Sequence, residues 1–191
     1  MFPAIILDRD GVIIENRDNY VRNWADVKVY PQALRALADA KCSDYKIVII
    51  TNQAGVGKGI IPLQTATEIN QRLVHVIEKA GGRVDGLYMC PHTPQDECEC
   101  RKPRPGMILQ AERELALDLS HSWMIGDALS DLQAGRAAGV GHLVLVSTGR
   151  GARQAQLAES ANLGPYQLFA DLNAALQHLL PPSPNGKAQQ R

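Results

Sequence analysis

A chain of 191 residues is long enough to bury a core without disulfides and suits one domain. Its 20 basic and 20 acidic residues cancel, which argues against a general nucleic-acid or membrane-binding surface and leaves room for a local basic patch. No run approaches the roughly 20 apolar residues of a membrane span, and "MFPAIILDRDG" meets charge too soon for a secretory signal, so a cytoplasmic protein with reduced thiols is expected.

Short β-rich runs recur along the chain: "AIIL" (4–7), "KIVII" (46–50), "GLYM" (86–89), "SWMI" (122–125), "HLVLV" (142–146) and the weaker "YQLFA" (166–170). Helix-like stretches alternate with them at 32–40, 63–80, 106–117, 130–138 and 171–180. In the second of these, Ile69, Leu73, Val76, Ile77 and Ala80 share one face at helical spacing. Strand and helix in alternation predict an α/β fold, a Rossmann-like parallel sheet with helices on both faces. Continuous apolar runs suit strands buried on both sides. The expected domain spans 1–180; the Pro-rich polar tail 181–191 has nothing to bury and is expected to be disordered.

Function in open parallel sheets gathers beyond the carboxyl ends of the strands. There the sequence carries Asp8-Arg9-Asp10-Gly11, Thr51-Asn52-Gln53, Gly126-Asp127 and, a helical turn later, Asp131. Converging carboxylates repel unless a cation sits among them, and magnesium takes oxygen ligands while keeping open positions. Asp8, Asp10 and Asp127 form a plausible magnesium cradle, with Thr51 and Lys102 poised for phosphate oxygens. Taken alone, "DRDG" reads equally well as a turn with two solvated acids. Asp131 either orients ligands about the ion or caps the following helix.

The order "DRDG", "TNQ", "RKP", "GDALSD" resembles the four motifs of the haloacid dehalogenase superfamily over 3–149. That resemblance implies a minimal-cap phosphatase in which Asp8 is the nucleophile and Asp10 the acid and base. It also implies that Thr51 and Lys102 stabilise the phosphoryl group, and that Asp8, the Asp10 backbone carbonyl and Asp127 hold Mg²⁺.

The stretch "MCPHTPQDECECRKPRPG" holds Cys90, His92, Cys98 and Cys100, an S₃N set suited to closed, structural tetrahedral zinc. No Cys-x-x-Cys supports a redox pair, and the remaining reading is a chance scatter of cysteines. The loop has little apolar surface of its own, so zinc would fix its shape and thereby hold Arg101 and Lys102 over the phosphate.

This loop together with "ITNQAGVGKG", "CRKPRPGM" and "VLVSTGR" resembles the zinc-containing branch of that superfamily, the heptose bisphosphate and histidinol phosphatases, with wording most like the former. The resemblance implies a cytoplasmic, monomeric enzyme that removes the C7 phosphate of D-glycero-D-manno-heptose 1,7-bisphosphate for surface glycan synthesis. Substrate contacts carry over to Asp8, Arg9, Asp10, Asn19, Tyr20, Thr51, Asn52, Gln53, Ala54, Arg101 and Lys102. Two departures stand: a short segment between His92 and Cys98, as in the histidinol phosphatases, and Ala128, where the heptose enzymes commonly carry lysine. Histidinol phosphate is the alternative substrate, and a nucleic-acid 3′-phosphatase a further one that the neutral charge argues against. A silent zinc-binding module would have no use for the carboxylates. "GVGKG" lacks phosphate-loop spacing, and Arg150 and Arg153 either reach a second phosphate or sit in a solvated loop.

Overall fold

The computed structural model describes residues 1–157, 159 and 163–180; the tail 181–191 lies outside the described residues. Strands β1 (Ala4–Leu7), β2 (Lys46–Asn52), β3 (Gly86–Cys90), β4 (Trp123–Gly126), β5 (His142–Val146) and β6 (Gln167–Phe169) form a wholly parallel sheet ordered β3-β2-β1-β4-β5-β6. Between them run helices α1 (Pro31–Asp39), α2 (Ala54–Gly57), α3 (Leu63–Lys79), α4 (Gly106–Leu115), α5 (Leu129–Ala138), α6 (Gly151–Gln154) and α7 (Leu172–Leu179).

Alternate strand residues face opposite sides of the sheet, which gives two cores. Ile5, Leu7, Ile47, Ile49 and Val144 pack against α1, α3 and α7, where Leu37, Ile69, Leu73, Ile77 and Leu176 recur at helical spacing. Ile6, Val48, Ile50, Met124 and Leu145 pack against α4 and α5 through Met107, Ile108, Ala111, Leu129 and Leu132. Each such aliphatic side chain, taken fully out of water, stabilises the fold by about 1.5–3 kcal/mol. The continuous apolar runs are thereby explained: both faces of each inner strand are covered.

Winding proceeds outward from β1 to β3, then crosses back to lay β4, β5 and β6 on the other side. The direction of winding therefore reverses between β1 and β4, and connections diverging there open a crevice at their carboxyl ends. The Asp8 N–H donates to the Ile125 carbonyl at 3.0 Å, so the residue after β1 is locked beside the end of β4. This pairing sets Asp8 and Asp127 on one rim.

Candidate active site

A cavity of about 660 Å³ opens on that rim, and Asp8, Asp10, Asn52, Gln53, Ala54, Tyr20, Arg101, Lys102, Asp127 and Asp131 contribute to its wall. Asp8, Lys102, Asp127 and Asp131 are all buried. Lys102 Nζ lies 2.7 Å from both Asp8 Oδ1 and Asp131 Oδ1, and donates to the Ile50 carbonyl at 3.2 Å. Burial, then the Asp131, Asp127 and Asp10 charges, push the Asp8 carboxyl up to about 8 against the pull of Lys102. Burial and Asp131 raise Asp127 to about 6, opposed by the Arg150 amide and Asn16. Burial opposes charge on Lys102, yet Asp131 and Asp8 hold it above the ordinary lysine range.

Ligand oxygens of Asp8, Asp127 and Asp131 all lie within 4.8 Å of one another. Three buried carboxylates and a single lysine leave negative charge uncompensated, and the donor set is all oxygen. The site fits a hard dication such as magnesium. Asp131 serves two ends: its Oδ2 accepts from the Ala128 N–H at 3.0 Å, capping α5, while Oδ1 holds Lys102.

Asp10 is gripped from both sides. Arg9 donates from Nε to Asp10 Oδ2 at 3.0 Å and from Nη2 to Oδ1 at 3.1 Å, Gln53 Nε2 reaches Oδ2 at 3.0 Å, and Thr51 Oγ1 lies 3.4 Å away. The Arg9 side chain is buried and donates onward to Asn70 Oδ1 on α3 at 2.7 Å, so it turns away from the cavity. Thr51 is fully buried at the end of β2, and Asn19 lines an adjoining cavity with Asn16, Arg17 and Tyr20. Asn52 clamps the Lys102 main chain in both directions, accepting from its N–H and donating to its carbonyl, each at 3.1 Å. That clamp and the backbone donor role of Arg150 carry no sequence signature, because any polar side chain at those positions reads as loop.

The four expected zinc ligands converge. Cys100 Sγ stands 3.2 Å from Cys90 Sγ, 3.4 Å from Cys98 Sγ and 3.3 Å from His92 Nδ1, and Cys90 Sγ stands 3.6 Å from Cys98 Sγ and from His92 Nδ1. These separations approach the edges, about 3.7 Å, of a tetrahedron of ligands set about 2.3 Å from a zinc ion. No disulfide joins the three thiols, and the S₃N set suits zinc. Arg101 Nη1 donates to the His92 carbonyl at 3.1 Å, so the zinc loop and the basic pair are one piece.

An acidic crevice at the switch point of a parallel sheet, with a lysine between its carboxylates, is the arrangement that the haloacid dehalogenase resemblance implies. The HAD-hydrolase-like family model matches residues 99–175. The D-glycero-beta-D-manno-heptose-1,7-bisphosphate 7-phosphatase of Neisseria meningitidis serogroup A is 41% identical over 150 residues, 77% of this chain and 78% of that one. Its namesake from Photorhabdus laumondii is 38% identical over 92% of this chain and 95% of that one. The crystal structure of the D,D-heptose 1,7-bisphosphate phosphatase from B. bronchiseptica, complexed with magnesium and phosphate, superposes with a TM-score of 0.84 at 36% identity, covering 93% of this chain and 97% of that one. The chain belongs to the haloacid dehalogenase-like phosphatases, in the family of these 7-phosphatases.

Proposed function

We propose that residues 1–180 form a single magnesium-dependent phosphatase unit that removes the C7 phosphate of D-glycero-D-manno-heptose 1,7-bisphosphate through an aspartyl-phosphate on Asp8. Buried Asp8 with Lys102 at 2.7 Å, at the mouth of the switch-point cavity, is the observation that carries this reading. Kinship with the 7-phosphatases supports the substrate.

An Asp8 oxygen attacks phosphorus while the bond from phosphorus to the C7 oxygen breaks, and Asp10 delivers the proton that the leaving alkoxide needs. In the second step Asp10 takes a proton from water, whose oxygen attacks the same phosphorus and frees Asp8. Lys102 and Thr51 neutralise charge on the transferring oxygens. When held by Asp8, Asp127 and the Asp10 backbone carbonyl, magnesium supplies charge neutralisation between nucleophile and phosphate. Asn19, Tyr20, Asn52, Gln53, Ala54 and Arg101 contact the sugar bisphosphate; Arg9, whose side chain is committed to Asp10 and Asn70, contributes its main chain.

The enzyme acts as a cytoplasmic monomer on a small molecule and not on nucleic acid. This is supported by zero net charge and by the scatter of its exposed large apolar side chains, Phe2, Ile60, Leu63, Leu157 and Leu168 among them. No helix among the described residues is long and apolar enough to cross a membrane.

Initial rates of phosphate release from the heptose bisphosphate, histidinol phosphate and a 3′-phosphorylated oligonucleotide test the reading. The bisphosphate should give the highest kcat/KM. Ala128 adds no cation to the cavity wall, and a higher kcat/KM for histidinol phosphate would make that compound the substrate.

A further inference from the structure

The segment after the nucleophile holds a side chain that the reaction above does not use. Asn16 lines the cavity, and its Nδ2 makes a short hydrogen bond to Asp127 Oδ2 across 111 positions of sequence. The same oxygen accepts the Arg150 N–H at 2.8 Å. Two donors thus occupy Oδ2, while Oδ1 has no donor among the described residues and belongs to a residue on the cavity wall.

The backbone is shaped around this contact. Gly11 and Gly149 both have left-handed φ, +86° and +58°, and a Cβ on either would collide with Asn16 Nδ2 and Asp127 Oδ2. Thr148 Oγ1 donates to the Gly11 carbonyl at 2.6 Å, pinning the two glycine turns together. Two tight turns from opposite ends of the sequence close on one hydrogen bond, and only glycine leaves room for it at either.

We infer that Asn16 is a positioning residue for the metal site: with the Arg150 amide it fixes the Asp127 carboxylate so that one oxygen is spent on the protein and the other is presented to the cation. This rests on the reading of Asp127 as a magnesium ligand. A ligating carboxylate free to rotate must lose that freedom on binding, whereas one held by two donors has already lost it. The amide also leaves the carboxylate its full charge, where a lysine or arginine there would compete with the ion.

Direct Mn²⁺ binding, followed by electron paramagnetic resonance on the zinc-loaded protein, tests the assignment without recourse to turnover. Asn16→Leu, which keeps the branched shape and removes the donor, should weaken Mn²⁺ binding about ten- to hundredfold. Zinc content and the thermal unfolding midpoint serve as controls for intact folding. If Asn16→Leu does not fold, Asn16→Ala removes the donor without adding bulk and should show the same loss. Asp127→Asn is the reference: if it binds Mn²⁺ as tightly as the unsubstituted protein, the metal-site reading fails and the inference with it. If Asp127→Asn loses the ion while the Asn16 variants keep it, Asn16 alone is refuted.

Discussion

At the scale of single residues, burial and mutual charge dominate the site. Asp8 and Asp127 are raised to about 8 and about 6 chiefly by burial, so each holds its proton to higher pH than an exposed carboxyl does. The sign follows from linkage: a carboxyl raised above its unfolded value near 3.8 binds a proton in the folded state that the unfolded chain has released. The stability of the magnesium-free protein therefore falls as pH rises from about 4 towards 8, and a magnesium ion held by both carboxylates, as proposed, would gain what the proton loses. Calorimetric titration with Mg²⁺ should show binding about a hundredfold tighter at pH 8 than at pH 6, with more protons released at the lower pH. Affinity that does not change between those values would contradict the raised acidities.

The individual acids were legible from sequence because each follows an apolar run, where a polar residue at a parallel strand end has a cavity to face. Their partners were not. Asn16 and Asn70 act through contacts whose geometry depends on how distant segments fold together, and a lone amide, in a loop or on a helix, has no pattern to betray it. For Asp131, the helix cap and the ligand-orienting role stood as alternatives; its two oxygens face the Ala128 N–H and Lys102 separately.

At the scale of elements, the strands are legible in the sequence because β-branched runs bounded by polar residues leave little else to be. "HLVLV" is β5 without adjustment, and "KIVII" is β2 short by two polar residues. The expected helix over 106–117 ends instead at Leu115, where Ala116 takes a left-handed φ of +51° as the cap. Glycine normally announces such a cap, and alanine does not. Leu117 leaves the helix to sit buried beside Phe2. Helices α2 and α6, four residues each, are too short to display a period.

The cysteine-histidine loop is the element that carries Arg101 and Lys102 to the cavity wall. It leaves β3 at Cys90 and returns through Arg101 and Lys102, tied by the Arg101 bond to the His92 carbonyl and by the Asn52 clamp. Cys98→Ser should lose zinc and lower kcat/KM about tenfold or more, since small displacements of a catalytic group are costly. The two sheet-face cores contain neither Cys98 nor His92 as buried members, so the circular dichroism of the sheet and helices should persist. Metal analysis with limited proteolysis across 91–105 reads both effects; a zinc-free variant with unaltered activity would separate the loop from the site.

At the scale of the whole molecule, topology explains why acids distant in sequence meet. Reversal of winding between β1 and β4 places residues 8 and 127 on one rim, and the pairing of β1 with β2 brings residue 51 alongside. Lys102 arrives from the loop beyond β3, across two strands, which is why its long side chain runs under the Ile50 carbonyl to reach Asp8. The fold supplies convergence, and burial makes the convergence costly without a cation and a phosphoryl group.

The central claim is covalent transfer to Asp8. It is tested most directly by mass spectrometry of the unsubstituted protein, acid-quenched within milliseconds of mixing with the heptose bisphosphate and magnesium. One phosphoryl group is expected on the peptide bearing Asp8, absent in Asp8→Asn, which should also lose turnover by several orders of magnitude. Phosphate release by Asp8→Asn at an undiminished rate, with no phosphorylated peptide in either protein, would contradict it.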